Sequence, residues 1–98
     1  MPQIHIALQE GFAGNAVTIT IDGREVYRKE HVRTRTQIGL ADSLQVAHDP
    51  GPAKFDIRTD KKSAAFTETV TGDVHIGISL SPDGTITHRA STEAFKYM

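Results

Sequence analysis

Apolar and polar residues alternate along most of this chain, and the clearest alternation brackets an Asp-Gly pair. In Val17-Thr18-Ile19-Thr20-Ile21-Asp22-Gly23-Arg24-Glu25-Val26-Tyr27-Arg28, the period of two predicts two strands joined by a two-residue turn. A type I′ turn needs positive φ at both central positions, and Asp-Gly is well suited to that requirement. With Ile21 opposite Arg24, Thr20 faces Glu25, Ile19 faces Val26 and Val17 faces Arg28. Val17, Ile19, Ile21 and Val26 then form a buried face, with Thr18, Thr20, Glu25 and Tyr27 on the other.

The same period recurs almost from end to end. Ile4, Ile6 and Leu8 share a face of a first strand, and Gly11-Phe12-Ala13-Gly14-Asn15 reads as a loop into the hairpin. Lys29 to Thr36 is polar and β-branched, with Val32 its one strong apolar residue; it reads as an exposed edge strand or an ordered loop. Leu44, Val46 and His48 alternate up to the turn Asp49-Pro50-Gly51-Pro52. Phe55 and Ile57 point inward before a turn at Asp60-Lys61-Lys62. Phe66, Glu68 and Val70 share a face, and Thr71-Gly72-Asp73 closes that strand. Val74, Ile76, Ile78 and Leu80 make the cleanest core strand. Ser81-Pro82-Asp83-Gly84 turns the chain into Thr85-Ile86-Thr87-His88. Two short helical turns are expected, over Ile38–Ser43 and from Ser91 to Phe95.

Strands spaced about 8–12 residues apart between turn signals predict an all-β, antiparallel sandwich of roughly seven to nine strands. Residues 1–98 form one domain in this reading. Its expected core is Ile4, Ile6, Val17, Ile19, Ile21, Val26, Leu44, Val46, Phe55, Ile57, Phe66, Val70, Val74, Ile76, Ile78 and Ile86.

Composition then narrows the chemistry. The chain has no cysteine, which excludes disulfides, thiolate nucleophiles and Cys-ligated metals, and points toward the cytoplasm. Met1 to His5 starts a strand pattern without a basic n-region or long apolar h-region, so no leader is expected. No apolar run approaches the ~20 residues of a membrane helix. A formal net charge of −1 gives no global reason to expect nucleic acid or an anionic membrane.

Five histidines, His5, His31, His48, His75 and His88, raise the question of a metal. They show no compact His-x-His or His-x-x-x-His spacing, so neither a metal nor a cofactor is expected. His5 and His75 alternate with apolar residues and should face solvent. A hydrolase reading can be assembled from Ser43, His48 and Asp42 or Asp49, but the chain lacks a Gly-x-Ser-x-Gly elbow. A small hydrolase or metal-dependent enzyme using His48 and Asp49 is the alternative function.

Arg24, Arg28, Lys29, Arg33 and Arg35, with His31, concentrate positive charge in one third of the chain, partly offset by Asp22, Glu25 and Glu30. Tyr27 is the one aromatic among them, too few for a single-strand nucleic-acid groove. A charged edge strand that resists edge-to-edge pairing accounts for the cluster on structural grounds alone. The functional reading makes Arg24, Arg28, Arg33, Arg35 and Tyr27 a contact patch for an acidic protein partner. Phe95, Tyr97 and Met98 form an apolar tail that either packs back on the sheet or docks on a second copy, so a homodimer is also expected.

The segment from Gly14 to Ser43, with its Val-x-Ile-x-Ile-Asp-Gly-Arg-Glu-Val-Tyr-Arg core and Gly39-Leu40-Ala41-Asp42-Ser43, resembles small bacterial β-sandwich proteins. The ending Glu93-Ala94-Phe95-Lys96-Tyr97-Met98 adds to that likeness. The hairpin is similar to those of prealbumin-like and carboxypeptidase-regulatory-like modules. The resemblance implies an immunoglobulin-like or prealbumin-like sandwich and no activity. The closing Tyr-Arg-Gly-Ser of the prealbumin-like hydroxyisourate hydrolases is missing, so none of their catalytic residues carries over. The expected function is a non-catalytic binding or structural module.

Overall fold

A computed structural model describes residues 2–34 and 39–92 of the chain. Eight strands run through them: β1 (Gln3–Leu8), β2 (Ala13–Ile21), β3 (Arg24–Arg33), β4 (Asp42–Ala47), β5 (Gly51–Thr59), β6 (Ser63–Val70), β7 (Val74–Leu80) and β8 (Ile86–Ser91). They form two four-stranded sheets, ordered β4-β1-β7-β8 and β3-β2-β5-β6, packed as a β-sandwich. Among the described residues no helix is long and apolar enough to cross a membrane.

The Asp-Gly hairpin forms as its chemistry requires. Asp22 and Gly23 have φ of 53° and 81°, and Ile21 pairs with Arg24 and Thr20 with Glu25. Beyond that point the expected register fails. Ile19 faces Tyr27 rather than Val26, and Val17 faces Lys29 rather than Arg28. Val26 is an extra residue on β3, a bulge that shifts the following side chains by one and turns Tyr27 toward the core. Two more irregularities follow, at Gly14 (φ 90°) on β2 and at Glu30–His31 on β3, where His31 takes φ 59°.

The wholly antiparallel expectation is also corrected. β1 and β7 run parallel at the centre of their sheet, with Ile4 beside Val74, Ile6 beside Ile76 and Leu8 beside Ile78. The cause is topological. The chain leaves β1 for the other sheet, returns once at β4 on one side of β1, crosses again through β5 and β6, and enters β7 on the other side from the same end as β1. Parallel neighbours always need such a long crossover.

Most of the fully enclosed apolar side chains lie on central strands, while Val32 of β3 and Val70 of β6 are buried on edge strands. Ile4, Ile6, Val17, Ile19, Phe55, Ile57, Ile76 and Ile78 sit on the four central strands and are buried. Val26, Leu44, Val46, Phe66 and Ile86, expected in the core, are only partly buried. All five lie on edge strands, where one lateral neighbour is missing. Residues outside the expected core complete it: Leu8, Phe12, Val32, Ala53 and Leu80. Phe12 plugs one end of the sandwich, held by Thr34 through its own N–H to Thr34 Oγ1 (3.0 Å) and its carbonyl from Thr34 N–H (2.9 Å).

The helical turn expected over Ile38–Ser43 is not found among the described residues, where Gly39 lies in a turn and Asp42 already starts β4. Of the second expected turn, Ser91 closes β8, and Glu93 to Phe95 lie outside the described residues. Lys29 to Arg33 is the edge strand the pattern suggested.

Central and edge positions should differ in energetic weight. Ile76→Ala should lower the unfolding free energy by about 2–5 kcal/mol, and Ile86→Ala by less than half of that, measured by denaturant unfolding. Equal losses at the two sites would contradict the burial pattern.

Candidate functional site

β3 and β4 are edge strands of different sheets and border each other along one side of the sandwich. Between them lies an open cleft of about 600 Å³. Ile21, Val26 and Val46 give it an apolar floor, and Asp22, Arg24, Glu25, Gln45, Ala47 and His48 line its more open parts. The half-burial of Val26 and Val46 reflects this opening.

Two polar ties cross between the sheets along this side. At the hairpin end, His48 Nε2 lies 2.7 Å from Asp22 Oδ2 and His48 Nδ1 2.6 Å from the Asp49 carbonyl oxygen. Asp22 is itself fixed, with Oδ1 accepting the Lys54 N–H at 2.9 Å and its N–H donating to the Lys54 carbonyl. The Lys54 N–H, followed by His48, holds the Asp22 carboxyl below its ordinary pKa. The Asp22 carboxylate raises that of His48, against the opposing effect of burial.

Further along the edge, the Tyr27 hydroxyl donates to Asp42 Oδ2 at 2.8 Å, and Lys29 Nζ approaches the same oxygen at 3.3 Å. Asp42 Oδ1 accepts the Ser43 N–H. Partial burial works against the Asp42 carboxylate, but the donors from Tyr27, Ser43 and Lys29 outweigh it and its pKa is lowered. Burial, then the facing Asp42 charge, pushes the Tyr27 phenol well above the ordinary tyrosine range. The bulge at Val26 makes this tie possible, because it brings Tyr27 round to the β4 side.

The sequence-derived patch is therefore divided. Arg24 lines the cleft. Arg28 is paired with Glu25 at 2.7 Å, and Tyr27 is committed to Asp42. Arg33 is exposed beside Gly14, and Arg35 lies outside the described residues, as do Phe95, Tyr97 and Met98. Among the described residues no ion pair engages Arg24 or Arg33. The roles of Asp22 and Asp42 were not anticipated: His48 is 26 positions from Asp22 and Tyr27 is 15 from Asp42, so no local spacing signals either contact.

The enzyme alternative meets a chemical obstacle at its own residue. Both ring nitrogens of His48 face oxygen acceptors, which leaves no lone pair aimed at a substrate proton or a metal. Ser43 sits on the exposed side of β4, and Asp49 contributes its backbone carbonyl to His48. Elsewhere, His5 and His75 are register partners whose rings stack at 4.4 Å and 15°. Stacked imidazoles direct their in-plane lone pairs side by side, not toward a common point. His88 stacks on Phe66 at 3.7 Å. Among the described residues no group of three or more His, Asp or Glu side chains is placed to hold a metal ion.

Replacing Tyr27 by Phe should cost about 1–2 kcal/mol, since Asp42 then loses its closest donor in a half-buried position. In a Tyr97→Phe background, absorbance at alkaline pH should show Tyr27 still protonated where free tyrosine has ionised; ordinary titration would rule out the tie. No family model, curated protein or solved structure matches this chain.

Proposed function

We propose that the protein is a non-catalytic recognition module whose β3–β4 edge receives an acidic protein partner. The observation that carries this reading is the uneven neutralisation of the basic edge. Glu25 and Asp42 engage Arg28 and Lys29, whereas Arg24 and Arg33 have no ion-pair partner among the described residues. Arg24 stands on the rim of an apolar-floored cleft, where a cation attracts an acidic side chain while apolar contact adds affinity. Arg35 continues the same basic stretch in sequence. The three irregularities of the β2–β3 pairing disfavour addition of a further strand to β3, so recognition here works through side chains.

Of the two sandwich types, the prealbumin-like one is preferred. Immunoglobulin constant domains place their first and second strands in one sheet, whereas β1 and β2 here lie in different sheets. A cytoplasmic setting belongs to the same proposal, supported by the absence of cysteine.

The test uses a short fluorescent oligoglutamate peptide as a surrogate partner. Binding to the full chain should weaken roughly tenfold in an Arg24→Glu/Arg33→Glu variant, and strongly between roughly 0.05 M and 0.5 M salt. Added zinc should leave Tm unchanged. Salt-insensitive binding that survives charge reversal would remove the acidic-partner reading, and a zinc-dependent rise in Tm would favour the enzyme alternative.

A further inference from the structure

We propose that the His48–Asp22 contact is a proton-operated latch that fixes the β2–β3 turn to the β4–β5 link and so closes one end of the β3–β4 cleft. It deepens the reading above by naming how that site is regulated.

The argument begins with hydrogen counting. A neutral imidazole has one N–H and one bare nitrogen, and only the imidazolium has two N–H groups. Here Nε2 faces a carboxylate oxygen at 2.7 Å and Nδ1 faces a carbonyl oxygen at 2.6 Å. Neither of those oxygens can donate while Asp22 is ionised. In either neutral tautomer one nitrogen lone pair would oppose an oxygen lone pair across that short gap. The charged ring satisfies both neighbours, so loss of one proton turns one of the two bonds into a repulsion.

The latch spans the two sheets. Asp22 occupies the first turn position and is anchored to β5 through both Lys54 backbone groups. On the other side, the His48 N–H donates to the Pro2 carbonyl ahead of β1. The His48 side chain is 15% exposed and that of Asp22 49%, so the ring is largely covered while water reaches the contact from the carboxylate side. Asp22 and Asp49 are the acids beside the ring, and β5 contributes the Lys54 backbone. From β3, Arg24 and Glu25 share the cleft rim with opposite signs and largely offset each other.

The direction of the pH response follows. The folded-state pKa of His48 is raised, so its contribution is fully present below the ordinary histidine value of 6.5 and is lost as pH rises through the folded value. Asp22 is lowered, so its contribution is present above the ordinary 3.8 and is lost as pH falls through its folded value. The latch is shut between those limits and releases on the alkaline side. Release uncouples the β4–β5 link from the hairpin turn, which stays anchored to β5 through Lys54, and removes a positive charge from the cleft rim, so an acidic partner is held less well as pH rises.

Thermal unfolding of the full chain, compared with His48→Gln and Asp22→Asn, tests this between about pH 5.5 and about pH 8.5. Gln retains a donor without titrating, and Asn retains the left-handed turn and an acceptor for Lys54. The wild type should lose roughly 3–6 °C of Tm relative to His48→Gln across that range. Its His48 ring signals in NMR should titrate above the ordinary histidine value and move down in Asp22→Asn. Parallel Tm curves, or His48 titrating at or below the ordinary value, would overturn the latch. These readouts contain no peptide, so they decide the latch independently, and oligoglutamate binding decides the partner reading.

Discussion

The apolar layer between the sheets is the constraint on which everything else in this molecule depends. Ile19, Phe55 and Ile57 from one sheet meet Ile4, Ile6, Ile76 and Ile78 from the other, all of them effectively without solvent contact. Hydrogen bonds set the order of strands within each sheet, but burial of this layer sets the sheets face to face. The layer thins toward the edges. Where β3 borders β4, Val26, Leu44 and Val46 are half covered, and polar side chains take over the task of joining the sheets.

That succession explains why the edge carries the chemistry. A carboxylate in water gains little from a neighbouring cation. Beside a half-buried valine the same carboxylate is partly shielded, and donors from Tyr27 or His48 count for more. Asp22 and Asp42 each face both a side-chain donor and a backbone N–H, so their positions are set by several bonds at once. The charges of β3 are thus of two kinds: those absorbed in holding the sheets together, and those left directed outward.

Much of the fold was legible because alternation and turn chemistry are local. Asp22-Gly23 announces its hairpin, and the rows Ile4-Ile6-Leu8 and Val74-Ile76-Ile78 announce central strands. What escaped depends on lateral position. Leu44 and Ile76 read alike in a period-two pattern, yet one lies on an edge and the other at a centre. The bulge at Val26 has no glycine or proline to mark it, and it reassigns Tyr27 from the outer face to the core side. The candidate site was less legible still. His48 drew notice for its neighbour Asp49, whereas the carboxylate that meets it belongs to a distant turn. Alternation says which side a residue faces, but not which strand lies across from it.

The parallel pair of β1 and β7 has a consequence for how the chain reaches this state. Gln3 N–H donates to Asp73 Oδ1 across 70 positions of sequence, at the mouth of that pair. Contacts so distant along the chain slow folding, because the loop must be closed before the contact can form. On a ribosome, β1 emerges ahead of the other seven strands of this sandwich and can be paired on one side by β4, but its other side stays open until β7 has been made. During that interval an isoleucine-rich strand presents unpaired backbone groups to whatever is nearby. The earliest of these eight strands is thus among the last to be enclosed.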